Sequence, residues 1–241
     1  APTLVAGSAR VSEEGLVGGL ADINGDDLTN SRTVNGSLVG VDGDSTDSVT
    51  YAFTGVPSDV LTSNGVAVVW RLDTATNTVT GTAGALTIIT VVLDSATGDY
   101  IVTLDGAVDH ADNSVEDILE FTIPTSVTDN HGASATSTLN VIVEDDSPIA
   151  VDDSAAINED DIDVTGNVLT NDAEGADDNE SVSEVAGNPA DVGQPVSLNH
   201  GEITLDSNGD YTYTLDNGDT AVQALALGET LTETISYTMI D

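Results

Sequence analysis

A glycine flanked by regularly spaced oxygen-bearing side chains could hold a hard cation near the start of this chain. Residues 22–27 read Asp-Ile-Asn-Gly-Asp-Asp, with Asp22, Asn24 and Asp26 at every second position. Calcium takes about six to eight oxygen ligands at about 2.3–2.6 Å, and a glycine permits the sharp turn that such a loop needs. A helix–loop–helix calcium site would add a glutamate at the twelfth position, where Thr33 stands. We therefore predict calcium binding by this segment, with a solvated turn as the alternative.

A shorter acidic turn follows at residues 42–44, where Asp42 and Asp44 flank a glycine. Two carboxylates in this arrangement either share one ion or cap a β-hairpin. The residue pattern leaves both interpretations open, and both aspartates are candidate calcium ligands.

A third acidic loop contains a histidine. Residues 109–113 read Asp-His-Ala-Asp-Asn, and two more acids follow at positions 116 and 117. Imidazole suits transition metals, but the surrounding carboxylates are hard oxygen donors, which favour calcium. We therefore predict that Asp109 and Asp112 are calcium ligands and that His110 is a bystander.

The net charge also indicates bound cations. The 241 residues include 43 Asp and Glu but only three basic residues, all Arg, for a formal charge of −40. Self-repulsion at this charge opposes compaction, and about ten Ca²⁺ ions, at two charges each, would cancel roughly half of it. The chain has no basic surface that could displace counter-ions from nucleic acid or bind an anionic membrane. It also lacks Cys, and so lacks disulfides and thiolate metal sites.

This composition suits a compartment with millimolar calcium, where sites with dissociation constants of about 10⁻⁴–10⁻³ M still fill. We therefore predict an extracellular protein. No apolar run reaches the length of about 18 residues that a membrane span needs, so we predict no membrane insertion.

The sequence shows no motif of a known catalytic class. It has no His-Glu-x-x-His zinc motif and no nucleophile elbow. Paired carboxylates could hydrolyse a glycoside, but an aromatic content of 3% leaves little for a sugar-stacking cleft. We expect that the protein is not an enzyme.

Short β-rich runs separated by Gly, Asn and Asp predict an all-β fold that positions these loops. The runs span residues 34–41, 49–53, 66–72, 86–93, 100–104, 118–123, 138–143, 162–169, 182–186, 201–205, 211–215 and 231–240. An acidic segment closed by Pro148 separates the first seven runs from the rest, as expected of a linker. We predict two tandem β-sandwich domains, 1–146 and 147–241.

Two neighbouring residues are unusual in this composition. Trp70 is the single tryptophan, and it is followed by one of the three arginines, Arg71. We predict that Trp70 anchors the first core and that Arg71 points outward, because side chains alternate along a strand. In so acidic a chain we expect Arg71 to be ion-paired, with recognition of a ligand carboxylate as the alternative.

Residues 8–146 resemble the long repeat of giant type I-secreted RTX adhesins of Gram-negative bacteria. The segments that carry this resemblance are Ser12-Glu13-Glu14-Gly15-Leu16, Gly18-Gly19, Val41-Asp42-Gly43-Asp44, Leu61-Thr62-Ser63-Asn64-Gly65, Gly98-Asp99-Tyr100, Asp109-His110, Val127-Thr128-Asp129 and Val143-Glu144-Asp145-Asp146. The Gly-Gly-rich nonapeptide of the RTX β-roll is absent, so this is not the secretion-signal end of such a protein.

Residues 148–241 resemble a VCBS or cadherin-like repeat, an Ig-like sandwich. The segments that carry this second resemblance are Ala150-Val151-Asp152-Asp153, Asn158-Glu159-Asp160, Gly166-Asn167-Val168-Leu169-Thr170-Asn171-Asp172, Gly201-Glu202-Ile203-Thr204-Leu205, Asp210-Tyr211-Thr212-Tyr213 and Gly228-Glu229-Thr230-Leu231. The chain stops before the usual closing strand, so we expect the second domain to lack its last strand, which a later segment of a parent chain would supply.

The resemblance implies that calcium is trapped where one domain meets the next. The ligands that it implies are Glu13 or Glu14, Asp129, Asp145 with Asp146, and Asp172 of the second domain. Gathering these carboxylates without a metal would cost several kcal/mol of like-charge repulsion. The alternative is a flexible acidic linker.

The function that the resemblance implies is structural. The chain looks like a calcium-stiffened segment of a bacterial surface adhesin that extends or presents ligand-binding modules in cell adhesion and biofilm formation. Its expected partners are neighbouring domains of the same adhesin and a peptide or glycan of the host or biofilm, and we expect a monomer. The alternative is that one domain is itself a calcium-dependent module that binds a peptide or glycan.

Overall fold

The computed structural model describes residues 1–21, 28–43, 48–111, 117–176 and 180–240. The regular structure in these ranges is β-strand, apart from two 3₁₀ turns at Glu13–Gly15 and Pro189–Asp191, so the predicted all-β class is confirmed. No helix in these ranges is long and apolar enough to cross a membrane. The chain forms two compact units, Ala1–Ser147 with Gly175–Asp177, and Pro148–Glu174 with Asp178–Asp241.

Twelve strands of the first unit form two large sheets and one short pair. A six-stranded antiparallel sheet has the order β3-β10-β9-β8-β7-β6, a four-stranded sheet has the order β2-β12-β11-β5, and β1 pairs with β4. The parallel contact between β2 and β12 brings the start of the unit beside its end. The strands are β1 (Pro2–Leu4), β2 (Gly7–Ser12), β3 (Thr33–Ser37), β4 (Gly40–Asp42), β5 (Val49–Phe53), β6 (Thr62–Ser63), β7 (Val66–Asp73), β8 (Thr78–Ala83), β9 (Leu86–Leu93), β10 (Asp99–Leu104), β11 (Ile118–Asp129) and β12 (Ser134–Glu144).

The core of the first unit lies between its two large sheets. Buried and less buried residues alternate along β8 and β11, as expected of strands with one face on a core. Trp70 packs against this core, with its ring centroid 4.9 Å from that of Phe121. The largest fully buried apolar side chains are Phe121, Ile88, Ile89, Leu93, Leu104, Ile123 and Leu139. The sandwich thus uses mainly aliphatic side chains, in keeping with the low aromatic content.

The second unit has a smaller core of the same kind. A four-stranded sheet has the order β13-β17-β16-β15, and β14 pairs with β18. The strands are β13 (Asp163–Asn167), β14 (Ser181–Val185), β15 (Pro195–Ser197), β16 (Gly201–Leu205), β17 (Asp210–Leu215) and β18 (Tyr237–Ile240). Its core cluster consists of Val168, Leu169, Val182, Val185, Leu205 and Met239, and Ile203 and Val222 are also buried.

Strands β1, β2, β6, β8 and β15 lie outside the predicted apolar runs, and one predicted run is divided between two strands. Strand β8 was not predicted because its central Gly81 reads as a turn residue, whereas the structure uses this glycine for close packing. A Cβ atom at Gly81 would lie 2.9 Å from the Trp70 ring. The run at 34–41 divides into β3 and β4, and Leu38 between them is buried in the core.

Candidate metal centre

A short turn after β2 buries two glutamates. Residues Glu13–Gly15 form a 3₁₀ turn, in which the Ser12 hydroxyl accepts a hydrogen bond from the backbone N–H of Glu14. Ser12 is an N-cap that satisfies one of the free donors at the start of the turn. Glu13 is 0% exposed and Glu14 is 8% exposed. Burial of two adjacent carboxylates is costly unless hydrogen bonds or a cation compensate for the lost hydration.

His110 lies beside these glutamates. Its Nε2 atom is 3.5 Å from Glu13 Oε1, and its Nδ1 atom is 2.5 Å from Asp117 Oδ1 and 3.9 Å from Asp145 Oδ2. Glu13 Oε1 also accepts a 2.8 Å hydrogen bond from the backbone N–H of Val108. The loop before β11 therefore supplies both an imidazole and a backbone donor to the turn after β2.

Burial by itself would lower the pKa of His110, because it penalises the charged ring. The carboxylates of Glu13, Asp145 and Asp117 outweigh this penalty and raise the pKa of His110 to about 9. The surrounding acids therefore favour the protonated, charged ring of His110 at neutral pH.

The end of β12 brings two more acids into the same region. Asp145 and Asp146 are 3% and 1% exposed. The backbone N–H of Asp145 donates to the Asp117 carbonyl oxygen at 3.1 Å, and Asp145 Oδ1 accepts from the backbone N–H of Asp146 at 3.0 Å. These bonds fix the direction of the Asp145 side chain, whose Oδ2 atom lies on the side of His110.

Asp146 is held by backbone donors. Its carboxylate accepts hydrogen bonds from the N–H groups of Leu20 at 2.8 Å and Ala176 at 3.1 Å. Burial raises the pKa of Asp146, and these hydrogen bonds oppose that shift. Backbone donors of the first unit therefore occupy part of the hydrogen-bonding capacity of the Asp146 carboxylate.

Glu144 and Arg10 are members of this region that the sequence did not identify. Arg10 Nη1 forms an ion pair with Glu144 Oε1, and the backbone N–H groups of Leu28 and Thr29 donate to the same carboxylate. Glu144 read as a linker acid, yet it is the last residue of β12 and is 5% exposed. Strands β2 and β12 pair in parallel, with Glu144 opposite Ser12, and this register brings Arg10 close to Glu144. The pairing joins residues far apart in the chain, so no local sequence pattern predicts it.

The geometry provides one group of potential ligand atoms. One ligand atom each from Glu13, His110 and Asp145 lies within 4.8 Å of the others. Asp117 contacts His110 of this group. Glu14, Glu144 and Asp146 are buried acids next in sequence to Glu13 or Asp145. Glu13 and Asp145, two of the predicted ligands, lie in this group, as does His110, which was expected to be a bystander. Calcium ligation by Glu13, Glu14, Asp145 and Asp146 stays a prediction.

Asp129 is not part of this group. It ends β11, and the other end of that strand, Ile118, pairs with Glu144. A twelve-residue strand at about 3.4 Å per residue separates the two ends by more than 30 Å. Asp129 instead accepts hydrogen bonds from the N–H groups of His131 and Ala133, both at 2.9 Å, and stabilises the β11–β12 turn. The expectation that it joins the other ligands is thus corrected.

Three other predicted ligands have local partners in the structure. Asp42 Oδ1 is 3.7 Å from the N-terminal amine, and Asp109 Oδ2 accepts from the N–H of Gly65 at 3.0 Å. Asp172, in the second unit, accepts from the N–H of Val151 at 2.7 Å and from the Tyr237 hydroxyl at 2.9 Å. The remaining predicted ligands, which are Asp22, Asn24, Asp26, Asp44 and Asp112, lie outside the described residues. Calcium ligation by these eight residues stays a prediction.

Comparisons with known proteins give a family match and distant structural likenesses. Residues 145–241 match the model of the bacterial cadherin-like domain. A solved chain titled "Protocadherin gammaB7 EC3-6 cis-dimer structure" is 18% identical, with a TM-score of 0.32, and the alignment covers 88% of this chain. This chain spans 38% of the length of that chain. No curated protein matches this chain.

Proposed function

We propose that this chain is a calcium-stabilised segment of a bacterial cell-surface adhesin, and that it extends or presents ligand-binding modules in cell adhesion and biofilm formation. The bacterial cadherin-like match at residues 145–241 supports an adhesion-related, extracellular setting. The resemblance of residues 8–146 to the repeat of type I-secreted RTX adhesins supports the finer assignment.

The observation that carries this proposal is the burial of acids in the first unit. Glu13, Glu14, Asp145 and Asp146 are all less than 10% exposed. Among the described residues, His110 lies beside Glu13 and Asp145, and Arg10 pairs with the neighbouring Glu144. Two cations leave an excess of negative charge in a poorly hydrated region, and a divalent ion is the simplest way to stabilise it.

Glu13 and Asp145 are the residues that would hold the ion. They supply carboxylate oxygens, which calcium prefers, while Asp117 holds the imidazole of His110 and orients its ring. A bound Ca²⁺ would supply positive charge and a cross-link between the start and the end of the first unit. It would thereby oppose opening of the contact between β2 and β12.

Calorimetric titration of the whole chain with Ca²⁺ after EDTA treatment tests the proposal. We expect saturable binding, and we expect Asp145→Asn and Glu13→Gln each to remove or weaken one class of sites. Asp129→Asn is the matched control, because Asp129 is also a buried acid but lies at the opposite end of β11. Binding that is the same in Asp145→Asn, Glu13→Gln and the parent chain would overturn the assignment of the metal centre.

The structural function has a separate test. A stiff segment should give the same small-angle scattering profile at different temperatures when calcium is present, and a broader distribution of dimensions when EDTA is added. A profile that calcium does not change would contradict a calcium-stiffened segment even if the ion binds.

A further inference from the structure

The three arginines of this chain differ in their surroundings. Arg10 pairs with Glu144, and Arg32 lies 3.4 Å from Asp105 Oδ1. Arg71 is exposed, and within the described ranges no carboxylate oxygen lies within 4.0 Å of its guanidinium. The expectation that Arg71 would be ion-paired is thus not met among these residues. An exposed, unpaired guanidinium is unusual in a molecule with 43 acids and three basic residues.

The acid closest in sequence to Arg71 is used for another purpose. Asp73 lies two residues further along β7, on the same face of the strand. Its Oδ1 atom accepts a 2.9 Å hydrogen bond from the N–H of Ala75. This hydrogen bond is the main cause of the lowered pKa of Asp73, to which the charge of Arg71 also contributes. Asp73 therefore stabilises the β7–β8 turn and leaves the guanidinium available to a ligand.

Arg71 begins a row of hydroxyl groups on the outer face of the six-stranded sheet. The register pairs Arg71 with Thr80, Thr80 with Thr90, Thr90 with Thr103 and Thr103 with Thr33. At about 4.8 Å between strands, the row extends for about 19 Å. We call Arg71 and these four threonines the Arg–Thr row.

The positions beside the Arg–Thr row are mostly uncharged as well. Val69 pairs with Thr82 on one side of the row, and Thr78 pairs with Val92 on the other. Charged residues near the row are Asp73, which is used in the turn, and Asp105, which pairs with Arg32 and contacts Thr90 Oγ1 at 3.5 Å. Arg32 and Asp105 form an ion pair beside the row. The face therefore offers the unpaired guanidinium of Arg71 beside an array of hydroxyl and methyl groups.

We propose that the Arg–Thr row binds an acidic sugar, such as a uronic acid residue of a glycan. A guanidinium recognises a carboxylate through two parallel hydrogen bonds. Threonine hydroxyls donate and accept hydrogen bonds, as sugar hydroxyls do, and restricted χ1 rotation keeps β-branched side chains ordered before binding. A ligand with one carboxylate fits this face better than a polyanion, because the net charge of −40 repels additional negative charge.

A glycan fits this surface better than an acidic peptide. A peptide bound through its side chains needs pockets, and one bound through its backbone needs a free strand edge. Strand β7 pairs with β8 from Val68 to Asp73, but with β6 only at Val66 and Ala67. A peptide added along the β7 edge would run parallel to that strand, whereas the Arg–Thr row runs across the face of the sheet. A flat row of hydroxyl groups gives a sugar ring many partners and gives a peptide few.

The test is an NMR titration of the whole chain, in millimolar calcium, with a glucuronic-acid-terminated disaccharide. We expect amide shift changes centred on Thr80 and Thr90, and binding at least tenfold weaker in Arg71→Gln, because a charge-assisted hydrogen bond is lost. Arg71→Lys should bind with intermediate affinity. The control is Glu202→Gln, which changes one exposed charge in the second unit, away from the row.

Three results would overturn this proposal. The first is equal binding of the disaccharide by Arg71→Gln and the parent chain, with unchanged melting temperatures showing that both are folded. The second is equal binding of the neutral, glucose-terminated disaccharide. The third is an Asp-containing peptide that binds more tightly than the sugar and loses affinity in Arg71→Gln, which would replace the glycan with a protein partner. The metal centre uses other residues, so these results leave the calcium proposal unchanged.

Discussion

Glu13 Oε1 lies 3.5 Å from His110 Nε2, and their side chains are 0% and 1% exposed. Glu13 lies in the turn after β2, and His110 lies in the loop before β11. The sequence predicted that Glu13 is a metal ligand and that His110 is a bystander, yet the two are in contact. It also shows that the first unit concentrates its buried charge at one end of the β2–β12 pair.

Removing calcium is expected to destabilise the first unit. A site filled at about 100 times its dissociation constant stabilises the folded state by about 2.7 kcal/mol, and EDTA removes this contribution. Differential scanning calorimetry in millimolar calcium and in EDTA measures the change. If the melting temperature does not respond to EDTA, the buried acids are not stabilised by a metal.

Replacing Arg10 with Met is expected to destabilise the first unit by about 2–3 kcal/mol. The substitution leaves the buried Glu144 carboxylate without its cation, and breaking a fully buried pair costs about 3–5 kcal/mol. We expect a smaller loss because the Arg10 side chain is 27% exposed. Urea unfolding measures the change, with Arg71→Met as the control. Equal effects of the two variants would argue against a specific role of the ion pair.

Asn77 is expected to be sensitive to loss of its side-chain amide. Its Oδ1 atom accepts from the Phe53 N–H at 2.9 Å, and its Nδ2 group donates to the carbonyl oxygens of Tyr51 and Leu93. Asn77→Asp retains the acceptor but removes both donors, so we expect a loss of about 2 kcal/mol in the free energy of unfolding.

The exposed Asn199 provides the control for Asn77, since Asn199→Asp adds the same charge at a surface position. Asn77→Gly is a useful second variant, because Asn77 has a φ of 53°, which glycine adopts without strain. If Asn77→Asp and Asn199→Asp had the same free energy of unfolding, the three hydrogen bonds of the Asn77 side chain would contribute little to stability.

The second unit is expected to lose stability in alkaline solution. Burial and hydrogen bonds to Glu233 and Asp172 raise the pKa values of Tyr213 and Tyr237, respectively, above the ordinary value of 10.0. A raised folded-state pKa contributes stability that is fully present below about pH 10, where the unfolded tyrosine is protonated, and is lost as the pH rises further. Stability of the second unit should therefore fall above about pH 10.

Chemical unfolding from pH 8 to pH 11, followed in Tyr213→Phe and Tyr237→Phe, measures this dependence. Each phenylalanine variant should have a flatter alkaline profile than the parent chain, because it no longer contains the shifted phenol. Tyr51 offers a matched control in the first unit, since its hydroxyl accepts from the N–H of Gly40 rather than donating to a carboxylate. If Tyr51→Phe, Tyr213→Phe and Tyr237→Phe all gave alkaline profiles of the same slope, the loss of stability could not be assigned to Tyr213 and Tyr237.

The sequence predicted much of the fold because hydrophobic alternation is a local property. Strands β5 and β9 coincide with the apolar runs at 49–53 and 86–93. Strand β8 was missed because Gly81 is read locally as a turn, while the contact that requires a glycine comes from Trp70 on the neighbouring strand. Cross-strand packing of this kind has no signature in a single segment.

The amino-acid sequence by itself determined the all-β class, the excess of acids and the grouping of carboxylates at residues 13–14 and 145–146. These features follow from residue type and spacing, which set strand propensity and charge. The tertiary structure alone decided which of these acids meet. Register along β11 and β12 separates Asp129 from Glu144, and the packing of two distant loops places His110 beside Glu13. Contacts between residues far apart in the chain depend on pairing and packing, and a linear pattern does not specify them.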